Sequence, residues 1–312
     1  MLPNDTLVVS VIKLSDKLGD TFMETEKPSM ISDAIIQRKG ARKLDEIPDE
    51  VVILLQKGQL ETVNLTEWLA VDHIVLLQNV LYELGLQQES EPMIQRLNLM
   101  NEKKIMRIIP AVATEWINLI EAKPIDEGFE IYKALAAHRS DSVRCWAAYI
   151  IGLREELTLE KKLTDIRPFA ADSHFGVREI AWMALREPIS KELVKALVIL
   201  EDWTGDMDAN IRRFAIEATR PRGVWAKHIQ QLKDNPAMAL SLLDTVKSDP
   251  AKYVQDSVSN WLNDASKTNP DWVLQICEEW LEASHTKETK RIVTRAKRSL
   301  IEKEGLVHPA LS

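Results

Sequence analysis

Cysteine is nearly absent from these 312 residues: Cys145 and Cys277 stand far apart, each inside a helical pattern. Two isolated cysteines make neither a disulfide framework nor a thiolate metal set, and they suit a reducing compartment. Glycine is scarce, with 10 residues, and no Asn-Gly or Asp-Gly pair joins two alternating runs. The usual hairpin signals are therefore missing. No apolar stretch reaches the roughly 18 residues needed to cross a bilayer, and the first residues lack a basic segment followed by a long apolar one. A soluble, cytoplasmic protein is expected. Also lacking are a glycine-rich phosphate loop and the runs G-x-S-x-G, H-E-x-x-H and C-x-x-C. The histidines at 73, 138, 174, 228, 285 and 308 do not cluster at ligand spacing, so no metal site is expected. Any chemistry has to run on carboxylates, aromatics and arginines.

What is present is helix. Hydrophobic residues make up 45% of the chain and recur at three- and four-residue spacing almost throughout. The segments "HRSDSVRCWAAYI", "ADSHFGVREIAWMAL", "GDMDANIRRFAIEAT" and "SDPAKYVQDSVSNWL" align on Val143-Arg144, Val177-Arg178, Ile211-Arg212 and Val254-Gln255, with spacings of 34, 34 and 43 residues. A weaker copy, "RIVTRAKRSL", covers 291–300. Such a period holds two helices and two turns, the turn capping the second helix. One pair cannot bury its own apolar face, so the pairs must stack. The pattern predicts an all-α, HEAT-like (ARM-type) helical repeat solenoid with a helical N-terminal extension. The divisions expected are 1–110 (helices and polar loops), 111–303 (repeats) and 304–312 (a tail). Residues 64–86 read as one helix capped by Asn64 or Thr66, and Pro110 should break or kink the helix around it. Arg144, Arg178 and Arg212 recur at one repeat position, which points to an inter-repeat ladder with turn aspartates.

The net charge of −8 argues against a polyanionic partner, but it is uneven. Residues 211–303 hold 16 Lys/Arg and 12 Asp/Glu, for +4; the remainder holds 24 and 36, for −12. A basic last third fits a localised anion site.

Within that third, "FAIEATRPRGVW" carries Glu217 just ahead of Thr-Arg-Pro-Arg. Glu217 is four residues after Arg213 and three before Arg220, so it is either a helix-surface ion pair or a working carboxylate. Asp264, in Leu-Asn-Asp, either pairs with Lys267 or serves the same surface. Glu217 and Asp264 lie 47 residues apart, one repeat plus one turn, and can face one side of adjacent repeats. Arg220 and Arg222 bracket Pro221 and either cap helix carbonyls or hold phosphates.

"RRFAIEATRPRGVW" and "SDPAKYVQDSVSNWLNDASKTNPDWVL" resemble the HEAT-like repeat DNA alkylation-repair glycosylases, the AlkC/AlkD superfamily, and the AlkC branch more nearly. The resemblance covers about residues 135–303. It implies excision of cationic alkylated bases such as 3-methyladenine from duplex DNA by a monomer with no cofactor. It assigns catalysis to Glu217 and Asp264. Burial is the default for a tryptophan, yet Trp182 and Trp261, with Asn260, are the candidates for base contact, and Arg213, Arg220, Arg222 and Lys267 those for phosphate contact. Some members are thought to act without extruding the lesion, so no deep pocket is required. The chain departs from the AlkC pattern once: Trp182, in "WMALREP", stands where a further acid is expected, and Glu179 lies almost one turn away. Two alternatives follow, a relative that grips DNA without cleaving it and a protein-interaction scaffold.

Overall fold

The structure is a computed structural model that describes residues 31–303. The first 37 residues form a unit of their own, described only at its end, where helix α1 (Asp33–Ile36) lies. The expected tail, 304–312, lies outside the described residues. From Arg38 onward the chain is a second unit. It holds α2 (Asp49–Gln56), α3 (Leu65–Ala70), α4 (His73–Glu83), α5 (Ser90–Asn98) and α6 (Ile105–Ala122). The pairs α7 (Ile125–Ala136) with α8 (Asp141–Leu153), α9 (Leu159–Ala170) with α10 (Phe175–Lys191), and α11 (Leu193–Thr204) with α12 (Ala209–Ala218) follow. Then come α13 (Gln230–Asp234), α14 (Leu240–Asp244), α15 (Lys252–Ala265), α16 (Pro270–Ala283), α17 (Lys287–Ala296) and α18 (Arg298–Lys303). No strand occurs among the described residues. The fold is an all-α, HEAT-like helical repeat solenoid.

The second helices of the pairs pack in sequence order, α6 on α8, α8 on α10, α10 on α12, α12 on α15 and α15 on α17. The first helices, α7, α9, α11, α14 and α16, pack against them in a separate layer. The repeat anchors Val143, Val177, Ile211 and Val254 are all buried, which is why the register was visible in the sequence. The longer third spacing has a structural cause: most of its additional residues form the loop 219–229 between α12 and α13.

Two local expectations changed. Residues 64–86 form two helices because Asp72 accepts from the backbone N–H groups of Ile74 and Val75 and starts α4 afresh. Asn64 does cap α3, accepting from the Glu67 N–H at 2.9 Å. Helix α6 runs through Pro110, only its sixth residue, where few intrahelical bonds are interrupted. It also contains the boundary expected at residue 110.

Close helix approach carries the stack. A Cβ built on Gly152 of α8 would lie 2.2 Å from the Ala184 carbonyl oxygen of α10. Backbone cannot yield as a flexible side chain can, so Gly152→Ala is expected to destabilise by about 1–3 kcal/mol, read from the urea midpoint. The N-terminal segment 38–98 is tied to the repeats by polar contacts. Buried Asp141 of α8 accepts from Thr62 N–H and Oγ1 at 3.0 and 2.9 Å, and the Trp146 indole donates to His73 Nδ1 at 3.0 Å. Burial pulls His73 down from 6.5 to about 4, with Asp72 opposing. Between those pH values the unfolded chain binds a proton that the folded chain refuses. Stability is therefore complete above pH 6.5 and falls as pH drops toward 4, by up to ~3 kcal/mol. Unfolding midpoints measured across that window should lose much of this slope in His73→Gln.

Candidate functional site

Three consecutive second helices and one loop bring the site together. Helix α10 supplies Glu179, Trp182 and Arg186, α12 supplies Arg213 and Glu217, loop 219–229 supplies Arg220 and Arg222, and α15 supplies Tyr253, Ser257 and Asp264. Arg220 lies between the two acids singled out in the sequence. Its Nη1 is 3.1 Å from Glu217 Oε2, while its Nε and Nη2 are 2.9 and 2.7 Å from Asp264 Oδ2. Glu217 Oε1 accepts from Ser257 Oγ at 2.7 Å and lies 3.7 Å from Arg213 Nη2. Arg213 reaches on to Glu179 Oε1 at 2.5 Å, and Glu179 Oε2 accepts from the Trp182 indole at 2.8 Å. The result is one chain of alternating charge, Glu179–Arg213–Glu217–Arg220–Asp264, crossing three repeats.

Burial works against the Arg213 and Arg220 charges, but the adjoining carboxylates more than offset it and hold both pKa values above the usual. The acids differ in access: the Glu179 side chain is 29% exposed, those of Glu217 and Asp264 only 4% and 6%. Arg186 positions the loop. Its guanidinium donates to the carbonyls of Ala218 (2.8 Å), Arg220 and Lys227 (3.0 Å). Burial first, then repulsion from Arg220, lowers its pKa to about 10, so it stays cationic at neutral pH.

The structure brings Glu217, Asp264, Arg213, Arg220 and Lys267 into one cluster, as the sequence suggested, but not in the roles assigned to all of them. Trp182 and Trp261 are 1% and 0% exposed, so neither presents its ring to a base. Both were candidates for substrate contact, with burial the default; burying a large apolar ring outweighs presenting it, and each indole N–H is used internally, that of Trp182 on Glu179 and that of Trp261 on the Thr219 carbonyl at 3.0 Å. Arg213 and Arg220 were expected to hold phosphates, yet their guanidiniums are buried and taken by carboxylates. Asn260 accepts from Arg298 Nη2 at 2.9 Å and belongs to the contact between α15 and α18. Lys267 is exposed and lies 3.2 Å from Asp264. Arg222 is half-buried, with its Nε buried and unpartnered and no ion pair among the described residues. Its charge, with those of Lys233 and Arg186, adds to burial in lowering the pKa of His228.

Arg186, Tyr253 and Ser257 were missed. Tyr253 directly precedes the Val254 anchor, and Ser257 lies one turn further along the same helix, a signal readable only with the alternating partners in view.

Behind the loop, a groove of about 810 Å³ is walled by Tyr149, Met183, Arg186, Trp225 and Lys227. It does not include Glu179, Glu217 or Asp264, so the acids lie outside this concavity. Among the described residues, no three His, Cys, Asp or Glu side chains gather as a metal site, and no helix is long and apolar enough to cross a membrane.

Residues 182–299, which contain most of this cluster, match the family model described as DNA alkylation repair enzyme. The match covers this segment of the chain and not the whole of it. An uncharacterised protein of Bacillus subtilis (strain 168), YhaZ, is 34% identical over 120 residues, 38% of this chain and 33% of that one. The chain thus matches about a third of the length of this curated relative. Among solved structures, the alkylpurine DNA glycosylase AlkC of Pseudomonas fluorescens, bound to DNA containing an abasic site analog, is similar with a TM-score of 0.58 at 22% identity, covering 84% of this chain and 66% of that one. AlkD2 of Streptococcus mutans is similar with a TM-score of 0.51 at 23% identity, covering 68% and 97%. Both are alike in fold. The matched segment begins at Trp182, so Glu179, the most accessible of the three acids, lies just ahead of it.

Proposed function

We propose that the chain is a DNA glycosylase that removes cationic alkylated bases, of the 3-methyladenine kind, from duplex DNA, acting as a monomer without a cofactor. The observation that carries this reading is the charge chain. Glu179, Glu217 and Asp264 carry three formal negative charges, held in place by Arg213 and Arg220 within the chain and by Lys267 at its end, so the acids are fixed rather than free to turn. An alkylated purine is already cationic, and its departure moves positive charge onto the sugar. Fixed carboxylates beside that sugar stabilise the developing cation and orient the attacking water without reorganising at the moment of reaction. In this reading Glu179, the most exposed acid, meets the sugar or water, and Glu217 and Asp264, clamped by Arg220, supply the field behind it. Arg222, Lys267 and the adjoining Lys227 and Lys233 carry the phosphate contacts that the buried Arg213 and Arg220 do not.

The position of Trp182 favours a second reading, a relative that binds DNA without cleaving it: a buried indole stands where the AlkC pattern has an acid. The assay that separates the two is release of free methylated bases from duplex DNA treated with a methylating agent. Time-dependent release by the wild-type protein supports the glycosylase. Binding without release leaves the non-catalytic reading, and the absence of both discards DNA as the partner.

A further inference from the structure

The turns of the repeats are built alike. A side chain at each turn accepts the backbone N–H two residues on: His138 from Ser140 at 3.0 Å, Asp172 from His174 at 2.7 Å, Asp206 from Asp208 at 2.8 Å and Asp249 from Ala251 at 2.8 Å. Six residues later a side chain reaches back to that turn's carbonyl. Arg144, Arg178 and Arg212 donate through Nη1, to His138 at 2.8 Å, Asp172 at 2.6 Å and Asp206 at 2.8 Å, and Gln255 donates its amide to Asp249 at 2.8 Å.

The other edge of the arginine then reaches forward to the next turn. Arg144 Nε and Nη2 take Asp172 at 2.8 and 3.0 Å, and Arg212 takes Asp249 at 2.6 and 2.9 Å. In this register Arg178 belongs to Asp206. It does not reach it, because Asp206 Oδ2 is held by Arg167 of α9. Arg178 lies instead over the Tyr253 ring, 5.4 Å from its centroid, with Nε 3.5 Å from the phenol oxygen. It has no carboxylate partner among the described residues, and its Nη2 makes no hydrogen bond among them. The opposing guanidinium of Arg213 lies 4.2 Å from the same ring and leads into the acid chain.

A half-exposed guanidinium fixed by two carbonyls, with its Nε–Nη2 edge free of a carboxylate, is a preformed fork for a tetrahedral oxyanion. We infer that Arg178, with the Tyr253 hydroxyl, forms a phosphate subsite diverted from the repeat ladder. Resting on the DNA reading, it grips a backbone phosphate next to the nucleotide that faces Glu179. The ladder itself supplies the control. The arginines each hold two turn carbonyls, Arg178 those of Asp172 and Ser173, and Gln255 holds the first of the two, so Arg178→Gln can keep the bond to Asp172 while removing the charge.

The experiment measures duplex DNA affinity against salt, and thermal unfolding, for the wild type, Arg178→Gln and Arg212→Gln. Arg178→Gln should weaken binding on the order of tenfold and lower the salt slope by about 0.9, the value of one phosphate contact, with a smaller fall in its unfolding midpoint than Arg212→Gln shows. Arg212→Gln, which strands Asp249, should lower the midpoint the more. Unchanged affinity and slope in Arg178→Gln overturn the subsite, as does a loss of stability with affinity per folded molecule intact. Wild-type protein that binds no duplex refutes the DNA reading, and inorganic phosphate then decides the subsite. Protection of the wild type but not of Arg178→Gln against thermal unfolding upholds it; equal protection, or none, overturns it.

Discussion

Replacing Arg220 with methionine should cost about 3–5 kcal/mol of stability, the largest effect expected from any single change in the charge chain. The side chain is buried and holds Glu217 and Asp264 at 3.1 and 2.7 Å, so its loss strands two carboxylates that cannot regain their water. Arg213, 3.7 Å from Glu217, and Lys267, 3.2 Å from Asp264, soften the loss without replacing the fork. The cost is one of mismatch rather than of a missing contact. The triple variant Arg220→Met, Glu217→Gln, Asp264→Asn should therefore recover most of the stability, because it removes the stranded charges together with their partner. Urea unfolding of the single and triple variants measures this directly. A triple variant no more stable than the single one would show that Arg220 acts through packing alone.

Base release should fall by a factor of 100 or more in Glu217→Gln, in Asp264→Asn and in Glu179→Gln, the magnitude typical of removing one preorganised charge from a transition state. The three should differ in how they do so. Glu179 is part-exposed, and a glutamine oxygen can still accept from Arg213 or the Trp182 indole, so its amide should fold and bind DNA as the wild type does while failing in turnover. Glu217 and Asp264 are held by Arg220, so their amides leave a partly unpaired guanidinium and should also lower the unfolding midpoint. Single-turnover release of methylpurines, with DNA affinity measured alongside, separates the two behaviours. A Glu179→Gln protein that releases bases at the wild-type rate would remove Glu179 from the mechanism.

The charge chain also shows why the acids were easier to find than their roles. Glu217 and Asp264 stand out because their flanking motifs are short-range and their repeat positions match. The ion-pair reading of Glu217 with Arg213 and Arg220, and the catalytic reading, were equally open in the sequence. The structure shows every one of those pairs made, together with a bridge to Asp264 that spacing alone could not choose. For Trp182 and Trp261 the core and the binding surface were both open in the sequence, because a tryptophan's neighbourhood is invisible in one dimension; the structure buries both.

By itself the sequence determined the helical class, the repeat with its buried anchors Val143, Val177, Ile211 and Val254, the placing of acids and arginines on adjacent second helices, and the lack of metal or thiol motifs. These are properties of local periodicity and composition, and local physics suffices for them. Only the tertiary structure decided that Asp72 divides one expected helix into two, that Arg220 serves carboxylates, that Glu179 is the acid open to solvent, and that Arg178 is released from the ladder while Arg144 and Arg212 are not. Each of those outcomes depends on which of several partners a long charged side chain reaches first. Asp206 pairs with Arg167 of α9, and Arg178 lies over the Tyr253 ring instead.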